Sequence, residues 1–371
     1  MIADGTPGSW CEIRLDRISR NLGLALDLVP RGRRFCAVMK ADAYGHGIAQ
    51  VVPLIREHGV SCIGITSNDE ARAVRAAGFD GTIIRVRAAT PTEIEAARDA
   101  RVEEQVASRL VARKLRALRD AGHPVRAHLA LNAKGMSRDG LEIATREGRE
   151  TARAILDLLG DDIVGICTHF PCNTPENLPQ SDAEFRAHVD WVFANSDLRR
   201  EAVLVHAGSS LTLVSGQEVS TDMYRCAAIL YGILKPDLGF RTTMALKTRV
   251  VSVAEYPKGS TVGYDRAARL ESDRRLACLS VGYANGFRRD IGPDAGVLIN
   301  GREAPVRGKV SMNTIVVDVT GLPEVQVGDV ATVFGGADEG QTPVEAAERQ
   351  FRTIMADLYS DWGLRNQRIY R

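Results

Sequence analysis

The sequence predicts an α/β + β protein: an N-terminal (β/α)8 TIM-type barrel followed by an antiparallel β-barrel-like domain. Three observations carry this expectation. Short apolar runs alternate eight times with amphipathic stretches in the first 240 residues. Beyond them the texture changes to valine-rich, alternating segments split by glycine turns. No GxGxxG follows the first run, which argues against the runner-up, a doubly wound sheet.

The eight runs, in order, are RFCAVMK (34–40), CIGIT (62–66), TIIRVR (82–87), EEQVAS (103–108), VRAHLALN (125–132), IVGICTHF (163–170), AVLVHAG (202–208) and MYRCAAILYG (223–232). Between them lie helical patterns such as SRLVARKLRALRDAG (108–122), whose expected apolar stripe is Leu110, Val111, Leu115 and Leu118. Gly59, Gly78 and Gly122 stand where such helices stop, since glycine tolerates a left-handed cap. After residue 240 come KTRVVSVAEY, LACLSVGY, GVLINGREAPVRGKVSMNTIVVDVT and GDVATVFGG, then a helical segment, PVEAAERQFRTIMADLYSDWG. The expected domains are 12–240 and 241–371, with residues 1–11 packing on the second.

Composition narrows the class of function. Of 371 residues, 44% are hydrophobic and 26% charged, an ordinary globular balance. Forty-eight basic against 47 acidic residues leave a net charge of +1 with no basic, aromatic-laced stripe, so nucleic acid is not an expected partner. No apolar run reaches membrane-spanning length, and the start, MIADGTPGSWCEIRLDRIS, lacks the basic and apolar regions of a signal peptide. With seven scattered cysteines, the expectation is a reduced, cytoplasmic protein.

Polar residues recur where the predicted strands end. Lys40 closes the first run, Arg138 follows the fifth, His169 ends the sixth, His206, Ser209 and Ser210 follow the seventh, and Arg225 lies in the eighth. In a (β/α)8 barrel the carboxyl ends of the strands form one mouth, so these groups imply a site for a small anionic ligand. Each has a plainer alternative. A lysine at a strand end often reaches only for water, His169 and His206 would serve equally as core histidines, Ser209 and Ser210 as loop residues, and Arg225 as a partner of Asp222. Cys167, His169 and Cys172 lack a second pair at zinc spacing, so no metal is expected.

Taken together and in order, AVMKADAYGHG, GMSRDG, THF, TVGYD, VGYANGF and GKVSMNTIVVD resemble the motifs of the alanine racemase family, pyridoxal-phosphate enzymes of fold type III. HLALNAKGMSRDGLE, KTRV, YPKGSTVGYDR and LINGREAPVRGKVSMNT are more similar to its broad-specificity amino-acid racemase branch. The resemblance implies pyridoxal 5'-phosphate as cofactor, held covalently by Lys40. It implies phosphate contacts from Tyr44, Ser209, Ser210, Tyr359 and the backbone at Ala227 and Ala228. Arg225 would face the pyridine nitrogen with His169 orienting it, and Arg138 would reach the phenolic oxygen. Arg138, Met312, Tyr264 and Tyr283 would bind the substrate. Lys40 and Tyr264 would be the two bases, Tyr264 coming from the partner of a head-to-tail homodimer with shared sites.

The chain departs from the family pattern in places. Ala130 replaces a lysine before the arginine loop, and Lys134 is an added residue, either a surface lysine or a replacement charge near Arg138. Cys226 and Ala227 stand where an apolar residue and glycine are usual, which matters if position 227 needs a positive φ. Asn313 removes a carboxylate, consistent with a more permissive pocket. Cys36 and Cys62 occupy positions that form a disulfide in secreted broad-specificity enzymes, and without an export signal they are expected to be reduced. The implied function is racemisation of free amino acids, broad or centred on alanine. The alternatives are a narrow racemase or epimerase and a cofactor-binding homologue without turnover.

Overall fold

The computed structural model describes residues 7–335 and 342–371, and they divide into two compact units. One holds Leu22–Ala41 and Ile48–Leu230; the other holds Asp42–Gly47, Tyr231 onward and the described residues up to Asn21. Part of the 1–11 segment therefore lies outside the described residues.

In chain order the strands are β1 (Ser9–Ile13), β2 (Arg34–Val38), β3 (Cys62–Ile65), β4 (Thr82–Ala88), β5 (Val102–Val106), β6 (Ala127–Ala130), β7 (Ile163–Cys167), β8 (Leu204–His206) and β9 (Met223–Cys226). They continue with β10 (Met244–Tyr256), β11 (Thr261–Val262), β12 (Ala268–Arg269), β13 (Arg274–Leu279), β14 (Gly296–Ile299), β15 (Arg302–Arg307), β16 (Ile315–Asp318), β17 (Val330–Phe334) and β18 (Gln367–Tyr370).

In the first unit β8-β7-β6-β5-β4-β3-β2-β9 form one parallel sheet of eight strands. Its ends meet through Asp222 N–H to Val205 O (2.7 Å), Arg225 N–H to Gly208 O (2.9 Å) and a bridge between Ser209 and Arg225, which closes the barrel. The strands are short and almost wholly buried, as continuous apolar runs flanked by helices must be. Helices begin at capping boxes, Ser67 with Glu70 and Thr90 with Glu93, and Gly59, Gly78 and Gly122 follow helix ends with φ of 70°, 79° and 84°. The helix Arg109–Asp120 buries Val111, Ala112, Leu115 and Leu118. Leu110, expected on that stripe, is 64% exposed. A step of 100° from Val111 carries it off the buried face, and Ala112 takes the place instead.

The second unit is built on antiparallel strands. The series β13-β16-β15-β14-β17-β10 closes on itself through a further β10–β13 pairing, and the 13-residue β10 makes this possible by a register shift between Val250 and Ser252. Beyond β10 the sheet continues to β1, antiparallel, and β18, parallel to β1. The terminal helical segment is two helices, Val344–Phe351 and Met355–Arg365, broken at Arg352, whose φ is 50°. Trp362 and Tyr359 of the second helix, Phe351 of the first and Phe334 of β17 pack edge-on or tilted against one another.

Among the described residues no helix is long and apolar enough to cross a membrane. None of the His, Cys, Asp and Glu side chains there form a group placed to hold a metal ion.

Candidate active site

The carboxyl ends of the barrel strands gather Lys40, Arg138, His169 and Arg225. Lys40 follows β2, and the chain around it is pinned twice: Met39 N–H bonds Gly64 O at 2.7 Å and Ala41 N–H bonds Glu70 Oε1 at 2.7 Å. The other oxygen of Glu70 takes the amides of Thr66 and Ser67 at 2.7 and 3.0 Å, so one carboxylate ties the ends of β2 and β3 together. Surrounding protein lowers the Lys40 pKa by desolvation, the Arg138 charge lowers it further, and Glu70 offsets this only in part. The amine is thus closer to its neutral, nucleophilic form than a surface lysine.

From Ala41 to Tyr44 four successive residues have φ between 52° and 58°. Lys40–Tyr44 is therefore a turn of left-handed helix, which L-residues adopt at about 1–2 kcal/mol each. Small side chains limit the crowding, and polar contacts offset the rest. His46 Nδ1 lies 3.0 and 2.9 Å from the carbonyls of Ala43 and Tyr44, its Nε2 lies 2.8 Å from Thr243 Oγ1, and Arg368 pairs with Asp42. Burial pushes the His46 pKa down to about 4, so the ring is neutral and donates from Nδ1. Such a strained, over-determined segment beside a nucleophile is where backbone strain is usually found.

Arg225 is buried on β9 and held by acceptors alone. Its Nη1 donates to His206 Nδ1 (2.7 Å) and to the His206 carbonyl (2.9 Å), and Nη2 donates to the Thr168 carbonyl (2.7 Å). The histidine that orients Arg225 is therefore His206, not His169. Asp222, the alternative partner, instead pairs with Arg33 (3.1 Å) and Arg200 (2.8 Å). His169 has its pKa lowered to about 4, first by desolvation and then by Arg225, Arg138 and Lys40. The site thus presents two guanidiniums and the Lys40 amine around a neutral imidazole, an arrangement suited to phosphate and carboxylate groups. Arg138 stands on the loop after β6, 3.3 Å from Asp139, whose other oxygen takes the Ala88 amide at 3.2 Å.

Ser210 Oγ accepts the Ala227 amide at 3.0 Å and also faces the Cys226 thiol. Ala227 is not among the positive-φ residues, so alanine in place of glycine is without backbone strain, and Ala228 follows it half-buried. The Ser209 side chain caps the short helix Ser210–Val214 and bonds Asn173 at 3.2 Å. Lys134 is a surface lysine paired with Glu184 at 2.8 Å. Cys36 and Cys62 are free thiols in a small apolar cluster with Ile84 and Met223.

In the second unit Tyr44 stacks on Tyr231 at 5.0 Å and burial raises its pKa to about 12. Tyr359 Oη is buried with no hydrogen-bond partner, although the amides of Met244 and Thr243 face it. Tyr264, Met312 and Tyr283 are 63%, 55% and 37% exposed. Their loops converge: Tyr283 N–H bonds Ser311 O (3.1 Å), Ala284 N–H bonds Met312 O (2.9 Å), and Asp265 pairs with Lys309. Gly263 and Gly308, at φ 78° and 71°, let the Tyr264 turn approach that loop, since a Cβ on either would lie 2.7 or 2.5 Å from opposing backbone.

Sequence reasoning missed the partners behind His206. His128 on β6 and Glu103 on β5 extend its hydrogen bonds through the barrel. The available signal was polar: a histidine inside AHLA and an acidic pair inside a buried strand.

Sequence profiles described as alanine racemase, N-terminal domain, and alanine racemase, C-terminal domain, match residues 13–235 and 243–370. A broad specificity amino-acid racemase of Aeromonas hydrophila is 40% identical over 96% of this chain and 88% of its own. A lysine racemase of Proteus mirabilis is 36% identical over 97% and 89%. The crystal structure of alanine racemase from D-cycloserine producing Streptomyces lavendulae superposes with a TM-score of 0.90, 26% identity and coverage of 99% and 98%.

Proposed function

We propose that this chain, which belongs to the alanine racemase family, racemises several free amino acids with pyridoxal 5'-phosphate by a two-base mechanism. The observation that carries the reading is the group at the barrel mouth: a lysine of lowered pKa beside Arg138, His169 and Arg225. Similarity to a broad specificity amino-acid racemase and to a lysine racemase favours a wide substrate range over alanine alone.

The residues suit the cofactor chemically. Lys40 offers an amine for its aldehyde, while the Ser210 hydroxyl and the backbone at Ala228 offer donors of the kind its phosphate needs, the Ala227 amide being already given to Ser210 Oγ. Tyr44 and the unpartnered Tyr359 hydroxyl add further donors of the right kind. Pyridoxal phosphate, when bound, withdraws electrons from the substrate α-carbon and acidifies its proton. Arg225 would face the ring nitrogen, and because a guanidinium has no proton to give up at working pH, the nitrogen would stay unprotonated. That restrains electron withdrawal and favours return of a proton to the α-carbon. Arg138 and the Met312 amide would orient the substrate carboxylate, with Tyr283 lining its approach.

Lys40 Nζ would take or return the α-proton on one face, and Tyr264 of the partner subunit on the other. The exposure of Tyr264, Tyr283 and Met312 on one loop cluster supports a homodimer in which these residues are covered. Chiral chromatography after incubation with L-Lys, L-Arg, L-Met and L-Ala tests the reading. D-isomers of several are expected; a single product selects a narrow enzyme, and none removes the assignment.

A further inference from the structure

A line of buried polar groups crosses the barrel from the carboxyl-end site to the opposite mouth. Arg225 Nη1 meets His206 Nδ1 at 2.7 Å, His206 Nε2 meets His128 Nδ1 at 2.8 Å, and His128 Nε2 meets Glu103 Oε2 at 2.8 Å. Glu103 Oε1 accepts from Arg126 at the rim. There Glu103, His128 and Arg126 border a cavity of about 360 Å³ that Arg34, Cys62 and Met223 also line at the amino ends of their strands. Both histidines are fully buried.

The direction of this line is determined by its ends. A guanidinium only donates and an ionised carboxylate only accepts. His206 Nδ1 must therefore be the lone pair, so its proton sits on Nε2 and points to His128. His128 Nδ1 must then accept, so its proton sits on Nε2 and points to Glu103. Reversal would set donor against donor at Arg225 and acceptor against acceptor at Glu103. The barrel wall is also cut away for this ring: a Cβ on Gly165 of β7 would lie 2.0 Å from His128 Nδ1. The two rings meet edge to face at 4.9 Å.

We propose that Glu103 and His128 are positioning residues for Arg225, acting from the far mouth of the barrel by locking His206 in the tautomer whose Nδ1 accepts from the guanidinium. The proposal rests on the reading of Arg225 as the group that faces the cofactor ring. Without the lock, only the guanidinium itself opposes the other His206 tautomer, and the ring acceptor of Arg225 is less firmly fixed.

The test uses cofactor-loaded wild type, Glu103→Gln and Glu103→Leu. Nitrogen-15 imidazole spectra of the wild type, with the seven histidines labelled, are expected to show His128 and His206 as Nε2–H tautomers. Glu103→Gln retains an acceptor and is expected to keep both tautomers and a kcat within about 3-fold. Glu103→Leu is expected to mix the tautomers, shift the cofactor absorption maximum and lower kcat about 10-fold with KM within about 2-fold. A wild-type His206 protonated on Nδ1, or a Glu103→Leu enzyme with unchanged tautomers, absorption and kcat, overturns the proposal. The wild-type spectrum decides even if the leucine variant fails to fold. A wild type with the stated tautomers but no racemisation removes the proposed reaction and leaves the locked chain standing.

Discussion

The two units position their candidate site groups by opposite means. In the barrel unit each group stands at or beyond a strand end and is held by side-chain hydrogen bonds: Glu70 on the Lys40 turn, Asp139 on Arg138, His206 on Arg225. In the β unit Tyr264, Met312 and Tyr283 lie exposed on loops, positioned by backbone contacts that glycines permit. Charge needs partners to be buried, so the barrel invests in networks. Exposed loops need only backbone shape, so the β unit relies on glycine. The first arrangement is vulnerable to loss of a partner, the second to addition of a methyl group.

The largest effect is expected at the barrel side. Lys40→Ala is expected to lower racemisation on the order of 10⁴-fold or more and to release the cofactor, seen as loss of its visible absorbance. On the β side, Tyr264→Phe is expected to reduce racemisation by about 10²–10⁴-fold while α-deuterium exchange of one enantiomer survives. Equal loss for both enantiomers would mean that the two units do not supply separate bases.

Gly308→Ala sharpens the contrast. With φ at 71° and Val262 O 2.5 Å from the new Cβ, it is expected to cost about 1–3 kcal/mol, lower Tm and reduce kcat about 10-fold without loss of cofactor. Calorimetry and absorbance together check this. The pH response is a smaller effect. His46 falls from its ordinary 6.5 to about 4 through burial, so below pH 6.5 the unfolded chain takes up a proton that the folded chain does not. Stability is then complete above pH 6.5, declines as pH falls towards 4 and levels off below, by up to about 3 kcal/mol. A His46→Gln variant should show a flatter Tm profile over that window. Lys134→Ala, which removes only an exposed pair with Glu184, should change neither Tm nor kcat measurably.

The candidate site was legible in part because strand ends in a barrel share a mouth. Once eight apolar runs were read as parallel strands, Lys40, Arg138, His169 and Arg225 stood out as polar groups in or just beyond the ends of those runs. The helix stripe at 111–118 was legible by its period, while Leu110 was misread because adjacency in sequence is not adjacency on a helix face. The histidine behind Arg225 was misjudged because THF lies in a recognisable motif and VHAG does not.

By itself, the sequence determined the alternation of barrel strands and helices, since periodicity and turn chemistry are local. Tertiary structure decided the partners. His206 meets His128 78 positions away and His128 meets Glu103 25 away, distances at which no periodicity reports a hydrogen bond. It also decided the left-handed turn after Lys40, where residues that ordinarily avoid positive φ are held there by Glu70, His46 and Arg368. Local preference is worth about a kilocalorie per residue, and several polar contacts acting together outweigh it.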